Sequence, residues 1–469
     1  MVQPDRRWYF LPVVALSGLG YAQDRAPTEQ FIRQQREIDR TLAQQRFEAA
    51  PVDQLLDFQY GGSLDYYVFH FDDGVQSSRW LNRPGLTAWM RATIDDGAHE
   101  FFARMRLNYN YFRPGDEFDK QQDWVGPNFD RAWYRVDLGK AFHLPNPADL
   151  PISLTVGRQA VVFGTGYVLD LPLDAVLIDA KLGDFRVHGL IGKTIGSYPN
   201  IDRSGPVDSH SNRNFFGAQV IYEGLERHRP FIYGIIQQDH TDERPQDIFQ
   251  EYDYDSQYWG FASRGEVLPD WSYWAEAAFE TGRSYGDGDY FAQRDTIHSF
   301  GWDVGTEYLF RGEMRPRISA EYMFASGDSG RLFSPTNAAG GNRGDNRDTS
   351  FVGFGYRDTG IAAAPALSNM HIWRAGGSLA PFPSVELLRE VEVGTDWFLY
   401  AKHHTRGAIS DETSDRFEGY VGWEMDYFVN WRISSDLSWT VRWGAFFPGY
   451  AYSDRGTRHF VFSGLTWSF

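Results

Sequence analysis

The stretch His459-Phe460-Val461-Phe462-Ser463-Gly464-Leu465-Thr466-Trp467-Ser468-Phe469 decides how the rest of the chain is read. Counting back from Phe469, residues Trp467, Leu465, Ser463 and Val461 share one face, and that face ends in two aromatic rings. In a soluble protein, an amphipathic strand finishing on exposed Trp and Phe would be an aggregation-prone edge. In a closed barrel it is the last stave, with its rings at the membrane interface. The same alternation must then recur along the chain.

It recurs from Leu55 onward with a period of two. In 101–111 the outward set is Phe101, Ala103, Met105, Leu107, Tyr109 and Tyr111, and the inward set is Arg104, Arg106, Asn108 and Asn110. In 420–433 Val421, Trp423, Met425, Tyr427, Val429, Trp431 and Ile433 share one face, opposite Gly422, Glu424, Asp426, Asn430 and Arg432. Apolar outside and charged inside is the pattern of a barrel bathed in lipid around a wet lumen. A soluble sandwich would bury two apolar faces and carry its charges outside.

Segments of this kind occur at 55–69, 86–96, 99–113, 128–139, 150–163, 174–182, 185–195, 213–223, 229–240, 256–267, 270–283, 297–311, 315–326, 368–380, 392–404, 419–433, 437–447 and 459–469. The sequence thus predicts an all-β fold, a transmembrane antiparallel β-barrel of about eighteen strands, an even number as bacterial single-chain barrels require. Tight links at 95–98, 182–185, 267–270, 311–315 and 434–436 alternate with long polar links at 70–85, 196–212, 241–255, 284–296, 327–367 and 405–418. Short periplasmic turns and long outer loops place both ends of the chain in the periplasm. The longest link, 327–367, is rich in Gly, Asn, Asp and Arg, and reads equally as an inward lid or a surface loop.

Composition sets the outer bounds. The chain has 469 residues, 17% of them aromatic, 47 Gly, no Cys and a net charge of -18. The acidity argues against nucleic acid as a partner, and the lack of Cys removes haem attachment and thiolate metal sites. No apolar run reaches the roughly 18 residues of a helical membrane span. Residues 1–22 read as a signal peptide: Arg6 and Arg7 precede the apolar 8–19, and Gly20-Tyr21-Ala22 supplies small residues for cleavage. Residues 23–54 form a polar linker, within which 26–50 read as a short solvated periplasmic helix with Phe31, Ile38 and Leu42 as sparse apolar positions. That helix is either a spacer or a docking and oligomerisation element. Residues 55–469 form the barrel, which localises the protein to the bacterial outer membrane.

The lumen residues carry the functional reading. By parity Arg91, Arg104, Arg106, Arg131, Arg135 and Arg442 point inward, on strands that neighbour one another across the seam. The acids Glu276, Glu280, Asp303, Glu307, Glu321, Asp396, Glu424 and Asp426 point inward on strands eleven to sixteen. A basic wall thus faces an acidic wall. Focused positive charge raises the local concentration of anions and selects them, and guanidinium groups clamp carboxylates in pairs. The facing acids would weaken each contact and let a polyanion slide. Inward charges that only brace the lumen are the competing reading. Strict alternation from Ile152, Leu154 and Val156 would leave Arg158 in lipid, so a bulge at Gly157 is expected to turn it inward.

Four motifs resemble the alginate-export family of outer-membrane porins. The stretch Arg442-Trp443-Gly444-Ala445-Phe446-Phe447-Pro448-Gly449-Tyr450-Ala451-Tyr452 fits R-x-G-x-F-x-P-G-x-A-Y. Glu424-Met425-Asp426, with Gly422 in place, fits G-x-E-x-D; Leu367-Ser368-Asn369 fits L-S-N; Gly157-Arg158-Gln159 fits G-R-Q. The resemblance implies an electropositive constriction that passes polyuronate, with Arg442 as a lumen arginine, Glu424 and Asp426 as its counter-charges and Arg158 as a further lumen group. Three places depart from the family: the link Ser434-Ser435-Asp436 replaces a long periplasmic plugging loop, Ile361-Ala362-Ala363-Ala364-Pro365-Ala366 replaces an Arg-containing stretch, and the N-terminal helical segment is extra.

Two transport readings follow. One is passive passage of an anionic polysaccharide, alginate-like or another exopolysaccharide, with periplasmic export machinery met through 26–50. The alternative is an uptake or general porin for small anionic solutes such as sugar acids. An enzyme is disfavoured, because no G-x-S-x-G or other spaced nucleophile motif occurs. No cofactor or metal is implied; His403 and His404, adjacent on a strand, would point to opposite faces.

Overall fold

The computed structural model describes residues 56–74, 78–113, 123–195, 211–241, 252–286, 293–338, 340–342 and 346–469. The proposed signal peptide and periplasmic helix lie outside the described residues. Eighteen antiparallel strands pair each with the next: β1 Leu56–Asp72, β2 Arg79–Ile94, β3 His99–Phe112, β4 Asp123–Asp137, β5 Ile152–Phe163, β6 Leu169–Leu182, β7 Phe185–Thr194, β8 Arg213–Tyr222 and β9 His228–Asp239. The series continues with β10 Asp255–Leu268, β11 Trp271–Gly286, β12 Arg294–Leu309, β13 Arg317–Ala325, β14 Met370–Leu379, β15 Val391–Lys402, β16 Tyr420–Arg432, β17 Leu437–Pro448 and β18 Arg458–Ser468. The circle closes where β1 pairs with β18 from Ser63↔Ser468 to Asp72↔His459, and Gly62 and Phe469 exchange backbone hydrogen bonds of 2.9 and 3.0 Å. Closure leaves no free sheet edge. No described helix is long and apolar enough to cross a membrane; strands make the crossing.

Alternation carries through the barrel. On β1 the even residues Phe58, Tyr60, Leu64 and Tyr66 are exposed while Ser63, Asp65, Tyr67 and Phe69 are buried. On β18 Leu465 and Trp467 face outward, as does Phe469 beyond it, while Phe460 and Phe462 are buried. The exposed apolar residues form the lipid-facing surface, and the buried ones meet inside the barrel.

That interior is not empty. One cluster joins Tyr67, Phe69, Leu81, Ile372, Tyr400, Phe446 and Phe462 to Ile361 and Ile409 from two outer links. A second joins Val161, Phe215, Tyr233 and Tyr258 to Tyr167, Phe351 and Phe354. Both are built around 346–369, the second half of the longest link, which turns into the lumen. Phe354 donates its N–H to the Val168 carbonyl at 2.8 Å, and Tyr356 donates to that of Gly166 at 2.9 Å. At the segment's start, Arg347 and Asp348 pair in parallel with Thr296 and Ile297 of β12.

Three local differences from the sequence reading have physical causes. The second strand begins at Arg79 and the sixth at Leu169, earlier than expected, because Pro84 and Pro172 sit within paired strands where their missing N–H groups are tolerated. Val421 is buried and not lipid-facing. The pairing slips between Tyr400↔Gly422 and Ala401↔Tyr420, a bulge made possible by Gly422 at φ 143°, and it rotates Val421 into the inner cluster. His403 and His404 lie beyond the end of β15 in an outer link, with rings 4.3 Å apart, not on opposite faces of a strand.

Candidate functional site

The basic wall is built where β2, β3 and β4 run side by side. Arg91 of β2 and Arg135 of β4 both pair with Glu100 of β3. Arg104 holds Asp130 by two nitrogens, at 2.5 and 3.0 Å, and Arg106 reaches the same carboxylate at 3.1 Å. Arg131 stands opposite Arg104 in the ladder. Arg83, inward on β2, donates to Asn110 at 2.8 Å. Glu100 and Asp130 are thus each shared by two guanidinium groups of this wall. Asp130 reaches them from a bulge, where Arg104↔Arg131 is followed by Met105↔Phe129.

Arg442 completes the wall across the seam, and its setting differs. It faces inward between Phe428 and Phe462, its register partners, and its guanidinium lies 5.6 Å from the Phe428 ring centre. Its Nε is buried with no hydrogen-bond partner, and among the described residues no carboxylate pairs with it.

The expected counter-charges do other work. Glu424 is fully buried, and its carboxylate accepts the backbone N–H groups of Ile361, Ala362 and Ala363 at 2.7, 2.6 and 2.8 Å, with the Tyr400 hydroxyl at 3.1 Å. Asp426 accepts the Ile361 N–H at 3.2 Å. Both are thus anchors of the infolded segment rather than counter-charges paired with Arg442 or lining a passage. A carboxylate has lone pairs to satisfy in a dry site, and three consecutive N–H groups satisfy them better than one distant cation.

The remaining acids follow suit. Glu280 takes the Val352 N–H at 3.0 Å and the hydroxyls of Tyr254 and Ser299. Glu276 takes the Thr165 N–H at 2.6 Å and the Tyr233 hydroxyl. Arg357 of the segment pairs with Asp303 at 2.5 Å. Arg374 of β14 bridges Glu321, Asp358 and Asp396 at 3.3, 3.2 and 2.9 Å. Of the eight acids, only Glu307 stays apart from this network, 3.6 Å from Arg317. The acidic wall is a socket for the segment, and it does not stand open against the arginines.

Arg158 is a correction to the sequence reading. Pairing runs unbroken through Gly157 on both sides, so no bulge turns the strand. Gln159, Val161 and Phe163 are buried, Val156 and Val162 exposed, and Arg158 keeps the outer parity. It survives there because Asp174, its register partner on β6, is also outward. Arg158 donates to both Asp174 oxygens at 2.8 and 3.0 Å and to the Phe129 carbonyl at 2.9 Å. A bidentate pair lowers the penalty that a lone arginine would incur against lipid.

Sequence reasoning missed Glu100 and Arg374, which the parity rule could have found, and Arg83, which lay in an expected link because the strand begins earlier, at Arg79. It missed Asp130 and Arg357 with no local signal: one sits in a bulge and the other in a loop. The L-S-N asparagine is structural. Asn369 donates to the carbonyls of His404 and Ala408 at 3.1 Å and accepts the His404 N–H at 2.8 Å, which ties two outer links together. The Tyr452 hydroxyl of the P-G-x-A-Y stretch donates to Asp411 at 2.9 Å.

A family model described as alginate export matches residues 115–464. Among solved structures, the chain is similar to Pseudomonas aeruginosa OccK11 (OpdR), with 13% identity, 88% of this chain and 96% of that chain covered, and a TM-score of 0.50. It is likewise similar to the outer membrane protein OpdK of the same organism, with 10% identity, coverage of 88% and 99%, and a TM-score of 0.50. At such identities the likeness is one of fold. No curated protein matches the sequence. Together these findings make the molecule an outer-membrane channel, with the family and fold of transport proteins and not of enzymes.

Proposed function

The chain belongs to the alginate export family, and from that premise we propose that its cargo is an anionic polysaccharide, a polyuronate or a similar acidic exopolysaccharide, passed by diffusion along the arginine wall. The observation that carries this reading is the charge imbalance between walls. Glu280, Asp303, Glu321, Asp396, Glu424 and Asp426 are bound to the infolded segment or to Arg374, whereas among the described residues no carboxylate pairs with Arg442, and Glu100 and Asp130 are each shared by two arginines of β2–β4. A carboxylate-bearing chain thus meets guanidinium on one side and backbone or bound acid on the other. Because each arginine shared with Glu100 or Asp130 is partly neutralised, each contact with the cargo is weak enough to release.

A pore of this kind has no energy source, so net direction comes from a gradient or from machinery on the periplasmic side, met through residues 26–50. The alternative cargo, small anionic solutes such as sugar acids, is favoured by one observation: segment 346–369 occupies part of the lumen and narrows it.

The test is single-channel current of the mature chain in planar bilayers, with and without uronate oligomers, beside Arg442→Glu. Anion-selective current blocked by the oligomers, with block weakened in the variant, is the expected result. Free passage of sugar acids with no block by oligomers would move the assignment to the small-solute porin. Deleting 26–50 without loss of polysaccharide secretion would remove the docking role.

A further inference from the structure

The arginine wall also carries aromatic rings that the electrostatic reading does not use. Trp89 of β2, Phe102 of β3 and Trp133 of β4 all point inward by parity. Their rings run side by side: Trp89 to Phe102 is 6.4 Å at 19°, and Phe102 to Trp133 is 5.5 Å at 22°. Other inward aromatics, such as Tyr67, Phe69, Phe215 and Phe462, are buried in the two interior clusters. These three are only half-buried, and none is part of either cluster. They lie toward the periplasmic ends of their strands, below the infolded segment's clusters.

We propose that Trp89, Phe102 and Trp133 form a stacking track for the pyranose rings of an acidic glycan, with the interleaved arginines receiving its carboxylates. This deepens the polyuronate reading and rests on it for the charge of the ligand. A pyranose ring presents an apolar C–H face, which packs on an aromatic ring; a uronate adds a carboxylate at the ring's edge. The wall supplies both chemistries in alternation. Trp89 faces Arg104 in the ladder, Phe102 faces Arg91, and the Arg135 guanidinium lies 6.0 Å from the Trp133 ring centre. Room for the first ring is made on β1: a Cβ at Gly61 would come within 2.9 Å of the Trp89 indole. Half-exposed aromatic surface facing a wet lumen is unfavourable by roughly 25 cal/mol per Å² unless something apolar covers it. A conduit for simple anions has no use for it.

The test compares three probes of one full-length mature channel in planar bilayers: an oligomannuronate, a polyglutamate of matched charge, and a neutral maltooligosaccharide. Trp133→Ala is expected to shorten block by oligomannuronate about tenfold, with polyglutamate block and chloride selectivity unchanged. Trp133→Phe keeps most of the block and controls for folding. Equal loss for oligomannuronate and polyglutamate, or no loss for either, would overturn the track. If oligomannuronate fails to block the wild type while the maltooligosaccharide blocks it in a Trp133-dependent way, the track stands and the polyuronate cargo falls. If neither sugar blocks the wild type, both readings fall.

Discussion

The two walls of the lumen began as a matched pair of opposite sign, and the structure gives them different occupations. On the β11–β16 side, buried carboxylates hold backbone N–H groups and the arginines of an infolded segment. On the β2–β4 side, Glu100 and Asp130 are each shared by two arginines, and among the described residues no carboxylate pairs with Arg442 across the seam. Most of the acidic charge serves architecture, and the arginine wall is the part assigned above to cargo. The general point is that inward charge in a barrel is functional only where no loop has claimed it.

The division can be broken from the architectural side first. Arg374→Ala strands Glu321, Asp358 and Asp396 together, and a loss of about 3–5 kcal/mol is expected; urea unfolding from lipid vesicles measures it. A change below about 1 kcal/mol would show that the acidic wall does not depend on its cation. Glu424→Ala removes the acceptor of three N–H groups, at a cost on the order of 3 kcal/mol. In the same variant single-channel conductance should rise as the segment loosens. Unchanged conductance would mean that the segment is held elsewhere.

The outer surface offers a control that belongs to neither wall. Asp174→Ala leaves Arg158 alone against lipid, expected to cost about 2–4 kcal/mol near the midplane and less toward the interfaces. The double change with Arg158→Ala should recover most of that loss. On the arginine wall the effect is inverted: Arg442→Ala should alter stability by less than about 1 kcal/mol while the chloride-to-potassium permeability ratio falls several-fold. A large stability loss there would erase the distinction between the walls.

The smallest expected effect is one of pH, outside the membrane. Burial alone would raise the Asp411 carboxyl, but Arg458 beside it at 2.6 Å and its hydrogen bonds to Thr413 hold it below the ordinary carboxylate range. A depressed carboxyl stabilises the folded link fully above its unfolded pKa and loses that contribution as pH falls through the folded one. Protease cleavage within 403–419 should therefore appear only in strong acid for the wild type, and at neutral pH for Asp411→Asn.

Alternation made the fold legible. All eighteen expected strands are present, and the long and short links fall broadly on the sides the sequence assigned to them. The lumen was legible only as far as alternation is strict. Arg91, Arg104, Arg106 and Arg135 face inward as parity places them, because β2 and β3 are regular there. Val421 broke the rule through a glycine bulge, and Arg158 obeyed it where a glycine suggested otherwise. Local sequence cannot separate those two cases, since the pairing of the next strand decides. Nor could it tell that 346–369 turns inward: the carboxylates that hold it, Glu280 and Glu424, lie 72 residues before Val352 and 61 residues after Ala363.

The link that carries it leaves β13 at Ala325 and returns to β14 at Met370 on one rim of the barrel, with 346–369 inside. It enters from the end where it is tethered, and it joins the strands of the wall where Arg347 and Asp348 pair with β12. Its hold on the wall is spread over Glu280, Asp303, Glu424 and the Thr296–Ile297 stretch of β12, so the bore of the barrel is set by contacts of the longest link and not by the circle of strands alone.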